Sequence, residues 1–344
     1  MKDVSIIIPI YNVEKYVAEC INSVISQTYD HSKIECIIVD DCTPDHSVDI
    51  VKEIIENYKG EMTFVLHNHK QNQGLSAARN SGIDIATGDY LYFLDSDDYI
   101  YPNTVELFMK ACHDNPQADI ISGNTYDEYH NYNIFNFNDI RIIENMNFLY
   151  MGDAKIIIAA NYLIYRKFIE RIGAKFKTDI YFEDLLWNHH ILQYASKVVI
   201  IPDVTYFYRK NTNSIMHQAK TSKLYKNVFD HLLILKSFVR ELKKPVYIGK
   251  SVNILYLFIN THDIIQSNIH LIGNSCHLHR QMKIMRGYLM QTHLDNKRFV
   301  LAIMTLMIYS PFIHLKKYGW YRHNFNRIIE SFWRFALMFD KFHN

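Results

Sequence analysis

Cysteine is scarce in this sequence, and what there is does not pair. The five residues, Cys20, Cys36, Cys42, Cys112 and Cys276, form no C-x-x-C spacing and leave one over, which argues against a disulfide framework and against a zinc cluster. A reducing cytoplasm is the expected compartment. A signal peptide is missing too: Met1-Lys2-Asp3-Val4 leads only into the short apolar run Ile6–Ile10, so export is not expected. No apolar stretch reaches a comfortable membrane span, and there is no internal repeat or low-complexity tract.

What is present is a globular composition, 49% hydrophobic and 21% charged over 344 residues, enough for one large domain or two of ordinary size. The net charge of +1 conceals a division. Residues 1–217 hold 18 Lys and Arg against 30 Asp and Glu, a balance of −12, whereas 218–344 hold 19 against 6, a balance of +13.

Val4–Ile8 is a continuous β-branched run, the pattern of a strand buried on both faces. Asn12 reads as the N-cap of a helix carrying Val13, Val17, Cys20, Ile21 and Val24 at helical spacing. Ile34–Val39 is a second buried run, after which Thr43 reads as a cap with Pro44 in the first turn. Met62–Leu66, a helix over Leu75–Ala86 and the strand Tyr90–Leu94 continue the alternation, which implies a parallel, doubly wound sheet. Such sheets bind ligands beyond the carboxyl ends of their strands. Tyr11-Asn12, Asp40-Asp41 and Asp95-Ser96-Asp97-Asp98 all fall at that edge.

The last of these gathers three carboxylates. Carboxylates this close disfavour one another's ionised forms unless a cation or several donors neutralise them, and Mg²⁺ or Mn²⁺ takes oxygen ligands while keeping phosphates in its shell. The cluster therefore suits a nucleotide diphosphate, although acids also populate turns as solvated caps. In Gly74-Leu75-Ser76-Ala77-Ala78-Arg79-Asn80 a helix start favours anions, and Arg79 has the donor fork to reach a phosphate. The plain alternative is a solvated surface arginine.

Together, Val4-Ser5-Ile6-Ile7-Ile8-Pro9-Ile10-Tyr11-Asn12, Val39-Asp40-Asp41-Cys42-Thr43, Gly74 to Asn80 and Gly88-Asp89-Tyr90-Leu91-Tyr92-Phe93-Leu94-Asp95-Ser96-Asp97-Asp98 resemble the motifs of family 2 glycosyltransferases, in family order. The resemblance implies a GT-A fold: α/β, Rossmann-like, with a mostly parallel central sheet flanked by helices, here over 1–217, followed by a basic, mainly helical region over 218–344. It implies that Pro9, Tyr11 and Asn12 frame the base and ribose, and that Asp41, or Asp40 beside it, accepts the uracil N3–H. Gly74, Arg79 and Ser96 would belong to the same donor site. Asp95 would contact ribose or sugar, and Asp97 would ligate Mn²⁺ or Mg²⁺, with Asp95, Asp98 and His217 as further candidates. The family's glycine after the paired aspartates is here Cys42.

Sugar transfer needs a base for the acceptor hydroxyl and a means of stabilising the departing diphosphate. Tyr181-Phe182-Glu183-Asp184 resembles the family's E-D motif at a helix start. Asp184 is taken as the base, with Glu183 orienting it or the acceptor, although the helix dipole alone favours acids there. Val198–Ile201 and Val204–Tyr208 read as strands. Arg209 and Asn213-Ser214-Ile215 resemble the loop that closes over the donor.

In the basic half, Val228–Leu242, Val252–Ile265 and Phe299–Leu315 carry helical or strongly apolar patterns. Lys316-Lys317, Trp320-Tyr321-Arg322 and Trp333-Arg334 suit an anionic bilayer surface, against plain packing or pairing with the acidic half. No nucleic-acid motif accompanies the charge. The expected activity is metal-dependent, inverting hexosyl transfer from a nucleoside diphosphate donor, UDP-linked in the first instance. The acceptor would be a surface glycan or lipid-linked glycan, met at the inner membrane face. A sugar-nucleotide pyrophosphorylase is the rival enzyme, but Ile8-Pro9-Ile10-Tyr11-Asn12 lacks its glycine-rich loop. A non-catalytic nucleotide-sugar-binding assembly protein is the other alternative.

Overall fold

A computed structural model describes residues 2–144, 159–211 and 275–295, with isolated positions between 226 and 237. His217, Asn213-Ser214-Ile215, Val252–Ile265 and Phe299–Leu315 lie outside the described residues. The chain forms two compact units, Met1–Lys226 and Asn227–Asn344.

The first unit is built on one sheet. Strand β1 (Val4–Ile10) is buried along its whole length and pairs in parallel with β2 (Ile34–Asp40) and β4 (Tyr90–Phe93), while β3 (Thr63–Asn68) pairs with β2. Beyond β4 the sheet turns mixed. β9 (Tyr162–Tyr165) runs antiparallel between β4 and β6 (Ile120–Asp127), and β10 (Val198–Tyr208) is parallel to β6. The short β5 (Tyr99–Ile100) closes the edge, giving the order β3-β2-β1-β4-β9-β6-β10-β5, with β7 (Tyr132–Asn133) and β8 (Arg141–Ile143) off this path.

Successive side chains on a strand leave opposite faces, so β1 feeds two cores. Ile6, Ile8 and Ile10 join residues of α1 (Val17–Ile25), α2 (Ser47–Asn57) and α4 (Thr104–Asp114). Ile7 joins Phe93 and residues of α3 (Leu75–Ile85), α5 (Arg166–Ile172) and α6 (Glu183–Tyr194). The helices thus cover both faces, as the strand–helix alternation predicts.

Three local expectations fail for tertiary reasons. Asn12 is not a cap: it has φ 56°, and its N–H donates to Thr43 Oγ1 at 2.8 Å, so α1 begins only at Val17. Thr43 is not a cap either, because its hydroxyl serves Asn12 and Asp45, and α2 starts at Ser47. The two strands read over 198–208 are one. Pro202 has no N–H for the ladder, but irregular register at Ile200 to Tyr206 absorbs the break and its carbonyl accepts from Asn124.

In the second unit, α7 (Ser275–Asp295) buries Met282, Met285 and Leu289 and exposes Ile284 and Tyr288. No helix among the described residues is long and apolar enough to cross a membrane.

Candidate functional site

The loops after β1, β2 and β4 meet at the carboxyl edge of the sheet. Pro9 is buried within β1 opposite Val39, while Tyr11 and Asn12 lie exposed beyond it. Asp40 accepts from the Thr43 N–H at 2.8 Å, which tightens the turn. Cys42 then takes φ 57°, the left-handed conformation that glycine adopts without steric penalty.

Asp41 is 2% exposed and bridges two loops. Its Oδ1 accepts from the Gln73 N–H at 2.8 Å and faces His69 Nδ1 at 2.7 Å, and its Oδ2 accepts from the Gly74 N–H at 2.7 Å. Gly74, at φ 87°, can make this turn because it has no side chain. The carboxylate read as a uracil ligand therefore also fixes the start of α3. His69 was not singled out in the sequence; its position just beyond β3, at the same edge, was the available signal.

Arg79, on α3, is neither a solvated charge nor an open phosphate ligand. It is 3% exposed, and it donates from Nη2 to Asp95 Oδ1 at 2.6 Å and from Nη1 to Glu183 Oε1 at 2.8 Å. Its guanidinium lies 5.1 Å from the centre of the Phe176 ring. Burial alone would depress its pKa, but Asp95 and Glu183 more than offset that and hold it charged. Both outer nitrogens of Arg79, read in the sequence as phosphate donors, donate to carboxylates in this arrangement.

In the acidic loop the three aspartates differ. Asp95 keeps Oδ2 clear of Arg79, and its N–H donates to the Tyr206 hydroxyl at 3.4 Å. Asp97 accepts from Asn211 Nδ2 at 3.0 Å, and burial, with the charge of Asp95 next, raises its pKa above the usual carboxylate range. Asp98 is 2% exposed and has both oxygens occupied, by the Tyr206 hydroxyl at 2.6 Å and the Arg209 N–H at 2.8 Å. Burial and its acidic neighbours push its pKa well up. The carboxyl of Asp98, a further metal candidate in the sequence, anchors the end of β10 to the acidic loop. Ser96 is buried between these residues in sequence. Arg209 donates from Nε to the Asp97 carbonyl at 2.9 Å and from Nη2 to Glu19 at 2.6 Å. Among the described residues no three His, Cys, Asp or Glu side chains gather closely enough to enclose a metal. A divalent ion held by one or two carboxylates and by substrate phosphates needs no such cage, and the charge carried by Asp95 and Asp97 fits that arrangement.

Glu183 and Asp184 open α6, preceded by Phe182 at φ 60°. Asp184 has a pKa raised to about 7, first by burial and then by the charge of Glu183, with Arg79 opposing. A partly buried acid poised near neutrality beside a charged partner is the pattern of a general base.

The model of the family described as Glycosyl transferase family 2 matches residues 5–173. Glycosyltransferase GlyG of Streptococcus pneumoniae is 31% identical over 271 residues, 75% of this chain and 85% of that protein. The chain belongs to glycosyl transferase family 2. EpsJ of Bacillus subtilis, a glycosyltransferase, is 34% identical over 221 residues, 62% of each chain. Among solved structures, S. aureus TarS 1–349 in complex with UDP-GlcNAc has a TM-score of 0.65 at 18% identity, covering 90% of this chain and 91% of TarS. The mannosyltransferase PcManGT of Pyrobaculum calidifontis, in complex with GDP-Man and Mn²⁺, has a TM-score of 0.54 at 17% identity, covering 85% and 86%. At these identities the likeness establishes the shared GT-A fold, with its mixed sheet. In this family 2 chain the loops described above lie at the carboxyl ends of parallel strands, the edge at which open α/β sheets bind ligands.

Proposed function

We propose that this chain transfers a sugar from a nucleoside diphosphate donor to a hydroxyl of a glycan or lipid-linked glycan, with inversion and in a single displacement. The observation that carries the reading is Asp184, an acid with a pKa of about 7, joined through Glu183 and Arg79 to Asp95 of the acidic loop. It puts a proton acceptor and a nucleotide-diphosphate edge in one connected arrangement. Asp184 takes the proton of the acceptor hydroxyl as that oxygen attacks the anomeric carbon, and no covalent sugar intermediate is required. Tyr11 and Asn12 receive the base and ribose, with Asp41 beneath them. Asp97, with Asp95, would hold Mn²⁺ or Mg²⁺, which when bound neutralises the leaving diphosphate.

UDP is the first donor to test, since TarS holds UDP-GlcNAc in the same fold; GDP, held by PcManGT as GDP-Man, is the second. Turnover against a panel of UDP-, GDP- and dTDP-sugars with and without Mn²⁺ should show one donor class consumed and stimulation by the ion. Consumption of a sugar 1-phosphate with a nucleoside triphosphate would instead support the pyrophosphorylase.

Peripheral binding to an anionic membrane surface through the basic second unit belongs to the same proposal. Ile284 and Tyr288 lie one turn apart on the exposed face of α7, beside Arg280 and Lys283, the mixture that suits interfacial binding. The protein should sediment with vesicles containing phosphatidylglycerol and not with phosphatidylcholine alone; equal recovery in both supernatants would exclude this placement.

A further inference from the structure

We infer that Arg79 is a positioning residue, a buried cation that ties the acidic loop to the base-bearing helix so that the aim of the base depends on one side chain. The inference rests on the transfer reaction proposed above. Its ground is geometric. Arg79 reaches Asp95 at 2.6 Å and Glu183 at 2.8 Å from adjacent nitrogens, although these partners lie 16 and 104 residues away in sequence. The guanidinium is itself fixed, 3% exposed and set 5.1 Å from the centre of the Phe176 ring. Among the described residues its Nε has no partner, so the group is oriented for the two carboxylates rather than for its own full satisfaction.

The consequence follows from stereochemistry. Glu183 is the first residue of α6 and Asp184 the second, so a tether on Glu183 restrains the backbone that carries the base. Phe182, at φ 60°, leaves that helix start in a conformation costly for a non-glycine residue, which persists only where surrounding contacts enforce it. Lysine cannot replace the arginine here, because a single ammonium does not reproduce a fork that serves two acceptors in fixed directions.

The test compares R79K and E183Q with the wild type in the full-length protein. Turnover is measured with the donor sugar the wild type consumes, and affinity by calorimetry with UDP and Mn²⁺. We expect kcat to fall about tenfold to a hundredfold in R79K, the scale of a misplaced reacting group, with the dissociation constant for UDP changed less than about threefold. E183Q removes the charge at the other end of the tie without touching the acidic loop and should show the same split. If R79K fails to fold, E183Q alone decides. Two results overturn the inference: kcat within about threefold of wild type in E183Q, or weakened UDP binding in R79K that accounts for its whole defect, which would make Arg79 a phosphate ligand. Wild-type protein inactive on every donor would instead remove the transfer reaction and this inference with it, a distinct outcome visible before any variant is made.

Discussion

Replacing Asp184 by asparagine should reduce sugar transfer by about two to four orders of magnitude while leaving donor affinity unchanged, and should make the protein more stable at alkaline pH. The two effects share a cause. Burial and the neighbouring Glu183 charge raise the Asp184 carboxyl to about 7, so at neutral pH it is a base strong enough to take a proton and still ionised in a useful fraction. The wild-type kcat/KM should therefore rise with pH along a limb with an apparent pKa near 7 and level off above it.

For stability the sign runs the other way. A carboxyl whose folded pKa exceeds its unfolded value of about 3.9 binds its proton more tightly in the native state. Its contribution is full below the unfolded value and is lost as pH rises through the folded one. Asparagine removes that loss, so the variant should gain roughly 1–3 kcal/mol at pH 8, with the gain vanishing toward pH 4. Thermal melts across this range provide the measurement; a variant no more stable than wild type at pH 8 would contradict the raised pKa.

Asp97→Ala should abolish the dependence of donor binding on Mn²⁺ and lower turnover by about two to three orders of magnitude, the scale of losing a metal's charge stabilisation. Asp97 is the member of the acidic loop best suited to that role. Its carboxyl is pushed up by burial and by Asp95 while the Asn211 amide donates to it, so a cation would relieve the repulsion between the two acids. Asp98 has two donors and a structural task. Calorimetry with UDP should show wild-type affinity enhanced by Mn²⁺ and Asp97→Ala affinity equal with and without the ion. Retained enhancement would move the metal to another ligand.

Much of the first unit was legible because its signals are local. Val4–Ile8 and Ile34–Val39 are unbroken apolar runs, and these become β1 and β2, buried and paired in register. Their spacing with amphipathic helices forces parallel strands, and parallel strands bring every following loop to one edge. Strand polarity alone therefore puts Tyr11, Asp41 and Asp97 at that edge. The helix starts were less legible. Asn12 and Thr43 have the composition of caps, but each prefers the other: the Asn12 amide takes the Thr43 hydroxyl 31 residues away, and a local rule cannot see that competitor.

The sequence by itself determined the family, the alternation of strands and helices, and the edge at which the acids collect, because residue periodicity and strand polarity are properties of short stretches of chain. Only the tertiary structure decided which partners each acid has. Inserting β9 antiparallel between β4 and β6 and running β10 alongside β6 brings Tyr206 and Arg209 onto Asp98, more than 100 residues away in sequence, and Arg79 onto Glu183. Those partnerships separate a carboxyl that anchors β10, two carboxylates held by Arg79 and one carboxyl raised toward neutrality, since a carboxyl's chemistry depends on its burial and on the donors and charges beside it.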